Sequence, residues 1–234
     1  MSLSTKAFGK RLSLLAALVA ALVVACAGVV GAQQVSHSSS AADEVSVAAN
    51  VSNGDFESGD FSGWKVANRR ESGFEGDWFV YSGTTSPLNG FTVATPPQGD
   101  FAATTDQSDP GSHVLYRNIK LEAGMNHTLS FYLYYVNDNG EFITPNTLSF
   151  AREDNQQYRV DLMKPKSKPF SMKNDAIREN LFRTDVGDPN TLGPALMLFD
   201  LTPYAGKTVR LRFAEVDNQG NFLASVDDVK VSSE

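Results

Sequence analysis

The stretch Leu129-Ser130-Phe131-Tyr132-Leu133-Tyr134-Tyr135-Val136 places Leu129, Phe131, Leu133 and Tyr135 at every second position. Successive side chains of a β-strand point to opposite faces, so this spacing predicts a strand with one apolar face. The same period of two recurs in residues 158–163 and 209–213, whose predicted buried side chains are Tyr158, Val160 and Leu162, and Val209, Leu211 and Phe213. These three segments predict the central strands of a sheet protein.

Further short strands are predicted between residues 78 and 231. They cover residues 78–81, 91–94, 101–105, 114–121, 196–200 and 225–231. Clusters of Gly, Pro, Asn and Asp, such as Asp109-Pro110-Gly111, separate them and indicate turns. Many short strands at close spacing predict an all-β sandwich of two antiparallel sheets.

One segment departs from the strand pattern. Residues 164–183 carry six basic and two acidic side chains, and residues 174–182 begin with a capping Asn and continue with apolar positions at helical spacing. This pattern predicts one short helix inside a long loop. The loop has two interpretations, a functional loop or a cover whose lysines are simply solvated.

The first 32 residues have the pattern of an export signal. Lys6, Lys10 and Arg11 precede an uncharged apolar run from residue 12 to residue 32. Three interpretations stay open: cleavage after Ala32, acylation of Cys26 as in bacterial lipoproteins, or an uncleaved membrane anchor. Each predicts a secreted or cell-surface anchored protein.

Residues 33–50 are rich in Ser and Ala and predict a flexible tether, which leaves residues 51–234 as one folded domain. Cys26 is the only cysteine, so no disulfide can form within the chain. An exported domain without disulfides needs a large core or a metal ion to stay folded.

The charge balance restricts the partners. The chain of 234 residues has a net charge of −7, and beyond residue 32 it carries 17 basic and 27 acidic residues, a net charge of −10. Nucleic-acid binders usually have the opposite sign, so this class is excluded. Contact with a membrane is expected only through the N-terminal segment, if that segment is retained.

Two motifs bracket the predicted domain. The first is Asn53-Gly54-Asp55-Phe56-Glu57, followed by Gly63-Trp64, and the second is Val226-Asp227-Asp228-Val229 near the end. Together they resemble the galactose-binding-like jelly-roll superfamily, which includes many bacterial carbohydrate-binding modules and the MAM-type adhesion modules. The resemblance spans residues 51–234, implies a jelly-roll fold and places Trp64 in the core, but it does not specify a ligand.

The resemblance also implies a structural calcium ion where the first and last strands meet, with Glu57 and Asp227 as side-chain ligands. The spacing supports this site, because Asp227 shares a predicted face with Val229 and Val231 and is therefore expected to point inward. An unpaired buried carboxylate is costly, and Ca²⁺ binds six to eight oxygens, including backbone carbonyls. The alternative is a carboxylate satisfied by backbone N–H groups or by an arginine.

No catalytic motif is present in the sequence. The patterns G-x-S-x-G and H-E-x-x-H and the phosphate-binding loop are absent, and His113 and His127 have no third partner at zinc-site spacing. We therefore expect a non-catalytic protein.

The faces opposite the predicted core carry the candidate ligand-binding residues. They are Tyr132, Tyr134, Arg159, Asp161, Arg210 and Arg212, and we expect them to be exposed and to form one patch. Aromatic rings beside forked donors and carboxylates suit a sugar. The alternative is a polar outer face held by cross-strand charge pairs. Trp78 is a further stacking candidate, and the loops around Trp78 and Phe91 are the next place for a site.

These observations favour an exported, non-catalytic protein of the carbohydrate-binding-module type, with a glycan or polysaccharide as its partner. The alternative is a MAM-like protein-interaction module whose partner is a surface protein.

Overall fold

The computed structural model describes residues 47–49, 51–70, 76–88, 90–106 and 109–234. The predicted export signal, Cys26 and most of the predicted tether lie outside these residues. In the described part, no helix has the length and apolar character needed to cross a bilayer.

Two antiparallel sheets form the domain, and we call them the front and the back sheet. The front sheet contains β1 (Val47–Ala49), β3 (Phe79–Ser82), β4 (Phe101–Thr104), β6 (His127–Asn137), β9 (Thr191–Asp200) and β11 (Phe222–Ser233). Its order is β3-β4-β11-β6-β9, with β1 also pairing with β11. The back sheet contains β2 (Lys65–Arg70), β5 (Gly111–Lys120), β7 (Gln156–Met163), β8 (Ile177–Arg183) and β10 (Thr208–Asp217), in the order β2-β5-β10-β7-β8.

The core lies between the two sheets, as the period-two pattern predicts. Leu129, Phe131 and Leu133 of β6 are fully buried, and Val160 and Phe213 are buried on the facing strands. The rings of Phe131 and Phe213 meet edge to face across the two layers, with centroids 5.2 Å apart. The predicted all-β sandwich of two antiparallel sheets is confirmed.

The opening and closing motifs meet, as the resemblance implies. The amide of Val229 donates a hydrogen bond to the carbonyl of Gly54 at 2.8 Å. Phe56 is completely buried and packs against Trp64 at a centroid distance of 5.5 Å, and the indole of Trp64 donates to the Asn53 carbonyl. Trp64 is therefore a core residue, and the start of the domain is attached to its last strand.

The predicted short helix in residues 174–182 is wrong. A single turn at Lys173–Ile177 is followed by strand β8, which pairs with β7 at the edge of the back sheet. The side-chain amide of Asn180 donates to the Val160 carbonyl and to the Asp161 carboxylate, which attaches β8 to its neighbour. Pairing with an open sheet edge thus outweighs the local helical spacing. The described residues contain one short 3₁₀ turn, Thr202–Tyr204.

A β-bulge changes the direction of Asp227. The register of β11 against β6 shifts between Asp227 and Lys230, and Asp228 has a positive φ of 52°. Val229 therefore points into the core, while Asp227 lies on the outer face opposite Tyr132. The expectation that Asp227 shares the inward face with Val229 is wrong, although Asp227 is still completely buried, beneath the loop that contains Gln98.

Candidate functional site

The six residues predicted to form one patch lie on two different outer faces. Strands β7 and β10 are neighbours in the back sheet, with Asp161 opposite Arg212, but β6 belongs to the front sheet. Tyr132 and Tyr134 are therefore on the other side of the sandwich from the arginines. The predicted continuous patch does not exist.

On the back sheet, three of the four predicted ligand-binding charges are buried in an ion-pair network. Asp161 and Arg212 are 0% exposed and Arg159 is 6% exposed. The carboxylate of Asp161 accepts hydrogen bonds from Arg212 at 2.6 Å and from Arg159 at 2.6 and 2.8 Å. Burial alone would raise the pKa of Asp161, but the bond from Arg159 and the charge of Arg212 lower it below its ordinary value.

The basic segment after β7 covers this network. Arg212 donates to the carbonyls of Pro169 and Ser171 at 2.7 and 2.9 Å, and Arg210 donates to the carbonyls of Pro165 and Ser167. The arginines therefore hold the segment in place. Of the two interpretations of this segment, a functional loop or a cover, the structure agrees with the cover. The expectation of an exposed, sugar-binding arginine face is wrong because the chain itself occupies the donors.

On the front sheet, Tyr134 is also a packing residue. It is 2% exposed, and its hydroxyl lies 2.5 Å from that of Tyr81, which in turn donates to the Ala94 carbonyl at 2.6 Å. Burial, followed by the neighbouring Tyr81, raises the pKa of Tyr134 above its ordinary range. Trp78 is 4% exposed and packs on Tyr158 inside the sandwich, so it is not a stacking surface for a ligand.

Tyr132 is half-buried on the same outer face, between Asp227 of β11 and Leu196 of β9 in the strand register. Leu196 and Leu198 are 53% and 63% exposed, which is unusual for two large apolar side chains on one edge strand. Tyr132 and these leucines form an apolar surface on the outer face of the front sheet, which we call the β9 edge.

A cleft with a volume of about 170 Å³ opens at one end of the front sheet. Val136 of β6 and Leu223 of β11 are opposite one another in the register and form its apolar floor. The connection between β3 and β4 turns back on itself, with Thr85 paired to Thr92, and places Phe91 at the wall of the cleft. Half of the Phe91 surface is exposed. The cleft thus combines an exposed aromatic ring with an apolar floor.

Four polar residues complete the lining: Thr92 beside Phe91, Asp106, which follows β4, Asp138, which follows β6, and Asn221, which precedes β11. The amide of Asp138 donates to the Asn221 carbonyl at 3.0 Å and joins the two strand ends. Asp106 is 3% exposed, and its Oδ2 has no hydrogen-bonding partner in the described part of the chain. Lys, Arg and His are absent from the described lining of the cleft.

The sequence predicts the surroundings of Phe91 as a second place for a site, but it does not identify Asp106, Asp138 and Asn221 as site residues. They belong to turn-forming clusters of Asp, Asn and Gly, in which a ligand-binding side chain looks the same as a turn residue. They come together only because β4, β6 and β11 are adjacent in the sheet.

The predicted metal ligands Glu57 and Asp227 bind the same loop from two sides. Glu57 Oε1 accepts hydrogen bonds from the amides of Asp100 and Phe101, and Asp227 Oδ2 accepts one from the amide of Gln98. Burial, together with the negative charges of Asp228 and Glu57, raises the pKa of Asp227 to about 7, even though backbone hydrogen bonds lower it. In the described residues, no three His, Cys, Asp or Glu side chains form a metal cluster.

An interior acid on β10 was not predicted from the sequence. Glu215 is completely buried, and neither of its oxygens has a hydrogen-bonding partner in the part of the chain that the structure covers. Burial, followed by the charge of Asp217, raises the pKa of Glu215 well above its ordinary value. Its neighbours across the sheet are His113 and Tyr158. Burial therefore favours the neutral form of the Glu215 side chain, which costs less in the core than a carboxylate.

No family model matches the chain, and no curated protein matches it. Solved structures do match. The module TmCBM61, in complex with β-1,4-galactotriose, is 14% identical with a TM-score of 0.48, over 79% of this chain and 99% of that one. Carbohydrate-binding modules and adhesin domains are among the structural neighbours.

The K3 cleaved adhesin domain of Lys-gingipain from Porphyromonas gingivalis W83 is 16% identical with a TM-score of 0.45, over 79% of this chain and 98% of that one. The stig cyclase Fisc from Fischerella sp. TAU is 16% identical with a TM-score of 0.44, over 81% of this chain and 98% of that one. These likenesses concern the fold alone.

Proposed function

We propose that the protein is an exported, non-catalytic glycan-binding module, and that the cleft beside Phe91 is its binding site. The observation that carries the proposal is the arrangement of an exposed aromatic ring beside an apolar floor and convergent hydrogen-bonding groups. A sugar ring has an apolar face that stacks on an aromatic side chain and hydroxyl groups at its rim. Asp106, Asp138 and Asn221 supply acceptors for those hydroxyls.

Replacement of Phe91 by alanine should weaken glycan binding about 10-fold or more, because stacking and apolar contact on one ring contribute about 1.4 kcal/mol or more. A glycan array identifies a ligand, and isothermal titration calorimetry then measures the affinities of the wild type and of Phe91→Ala. The melting temperature should change little, because Phe91 is half exposed.

Val186→Ala is the matched control, since Val186 is a 70% exposed apolar residue that does not line the cleft. Unchanged glycan affinity in Phe91→Ala would show that the sugar binds elsewhere. Tyr134→Ala, by contrast, should lower stability, because Tyr134 is buried.

The alternative, a protein-interaction module, is favoured by the β9 edge. Leu196 and Leu198 expose apolar surface beside the side of β9 that pairs with no other strand of the described residues, which is a common position for strand addition by a partner. A blank glycan array, together with a protein partner whose binding is lost in Leu198→Asp, would favour this second function.

A structural calcium ion fits the junction of the bracketing motifs. Glu57 and Asp227 would supply carboxylate oxygens, and Gln98 Oε1 is buried without a hydrogen-bonding partner in the described chain. A hard cation would offset the mutual repulsion of the neighbouring carboxylates and would be bound by oxygen atoms only. With few acidic side chains available, backbone carbonyls would complete the shell.

Calcium should raise the melting temperature, and EDTA should lower it, because an ion that binds only the folded state stabilises it by about 2.7 kcal/mol at 100 times its Kd. Asp227→Ala should abolish the response, and Glu57→Ala should reduce it. Glu122→Ala, which removes an exposed carboxylate paired with Lys120, serves as the control and should respond like the wild type. An identical melt with calcium and with EDTA would mean that backbone amides alone satisfy these carboxylates.

A further inference from the structure

The cleft has an excess of negative charge that a neutral sugar would leave unbalanced. Two of the four polar residues that line it are the acids Asp106 and Asp138, and its described lining contains no basic residue. The domain as a whole is also acidic, with a net charge of −10 beyond residue 32. Uronic acids and sulfated sugars would be repelled by such a site.

Asp106 is the decisive residue. It is 97% buried, and its Oδ2 has no hydrogen-bonding partner among the described residues, although it is part of the cleft lining. A buried carboxylate is costly unless a donor and a positive charge accompany it. A sugar hydroxyl supplies only the donor, whereas an ammonium group supplies both.

We propose that the cleft selects a sugar ring that carries a free, protonated amino group, as in glucosamine units of a deacetylated glycan. The inference rests on the proposed glycan-binding function and names its ligand class. The ammonium group pairs with Asp106, and the ring stacks on Phe91 above Val136 and Leu223. The volume of the cleft admits about one ring, so the amino sugar is bound as a single unit and the rest of the chain extends into solvent.

The test compares two glycans that differ only in the amino group: a glucosamine trimer and an N-acetylglucosamine trimer. Isothermal titration calorimetry at pH 6, where the free amine is protonated, should give at least 10-fold tighter binding for the glucosamine trimer. The difference should change little as salt is raised, because salt screens a pair formed with a buried carboxylate much less than an exposed pair.

Asp106→Asn keeps the size of the side chain and removes its charge, so it should abolish the preference for the glucosamine trimer. Phe91→Ala, by contrast, should weaken the binding of both trimers alike. Asp138→Asn is the second variant, with a smaller expected loss because Asp138 is exposed. Asp185→Asn, an exposed acid outside the cleft, is the control. If Asp106→Asn does not fold, the wild-type comparison of the two trimers and the Asp138→Asn variant still decide.

Equal affinities of the wild type for the two trimers, or a preference that persists in Asp106→Asn, would overturn this inference and leave the glycan-binding function standing. The proposed glycan-binding function itself would fail in a different way: no glycan on the array would show binding that is weakened in Phe91→Ala.

Discussion

Asp161→Ala should destabilise the domain by about 3–5 kcal/mol, the cost of breaking a buried ion pair by removing one partner. The Asp161 carboxylate is the shared acceptor of Arg159 and Arg212, and none of the three side chains is more than 7% exposed. Without it, two guanidinium groups face each other in the interior with no counter-charge. Equilibrium unfolding in urea measures the loss.

The pH dependence of this loss of stability follows from the direction in which the pKa of Asp161 is shifted. The pKa of Asp161 is lowered in the folded state, so its stabilisation is present above the ordinary range of an Asp carboxyl and is lost as the pH falls through the folded value. The difference between wild type and Asp161→Ala should therefore shrink in acid.

Asp185→Ala is the control for the ion pair, because it removes an acid that pairs with Arg183 while both side chains are 52% exposed. Exposed pairs contribute about 0–1 kcal/mol, so this variant should stay close to the wild type. Glycan binding by any Asp161 variant that folds should be unchanged, since the cleft lies on the front sheet. A loss below about 1 kcal/mol for Asp161→Ala would contradict the buried network.

Gly54→Ala should lower the free energy of unfolding by more than about 3 kcal/mol, or prevent folding altogether. A Cβ atom at this position would lie 2.0 Å from the carbonyl oxygen of Val229 and 2.9 Å from that of Val51. Both are backbone atoms of residues that hydrogen bonds hold beside Gly54, because the Gly54 amide donates to the Val51 carbonyl and the Val229 amide donates to the Gly54 carbonyl. The substitution must separate the opening motif from the last strand.

Gly193→Ala is the matched control, because Gly193 lies in β9 with no atom within 4 Å of an added Cβ. We expect it to be neutral or slightly stabilising, since Ala has less conformational freedom to lose. Thermal and urea unfolding of the two variants provide the comparison. Similar stabilities for Gly54→Ala and Gly193→Ala would mean that the two motifs are not in close contact.

The fold was predictable because its signals are local. The alternation in residues 129–136 and 209–213 identified the buried side chains Phe131 and Phe213, which meet in the core. The resemblance of the two bracketing motifs implied that they meet, and the hydrogen bond from Val229 to Gly54 agrees with it. The helical spacing of apolar residues in 174–182 led to a wrong helix prediction. The edge of β7 offers backbone hydrogen-bonding partners that the spacing of a sequence does not show.

The candidate site was predictable only in part. The period of two shows correctly that Tyr134 and Arg212 face away from the core, but it does not show which strands are neighbours or what covers an outer face. The 164–176 segment buries Arg212, and Val93 and Ala94 of the β3–β4 connection pack in one cluster with Tyr134. An outer face is exposed only where no other part of the chain lies over it.

The sequence by itself determined the strand class, the apolar faces and the acidic balance, because each depends on residue type and local spacing. The pairing of the first and last motifs was implied by their resemblance to a known superfamily. Only the tertiary structure decided where a ligand can bind. One bulge at Asp228 reversed the direction of Asp227, the separation of β6 from β7 divided the predicted patch, and the adjacency of β4, β6 and β11 assembled the cleft. Each of these depends on contacts between residues far apart in the chain, and no local pattern encodes them.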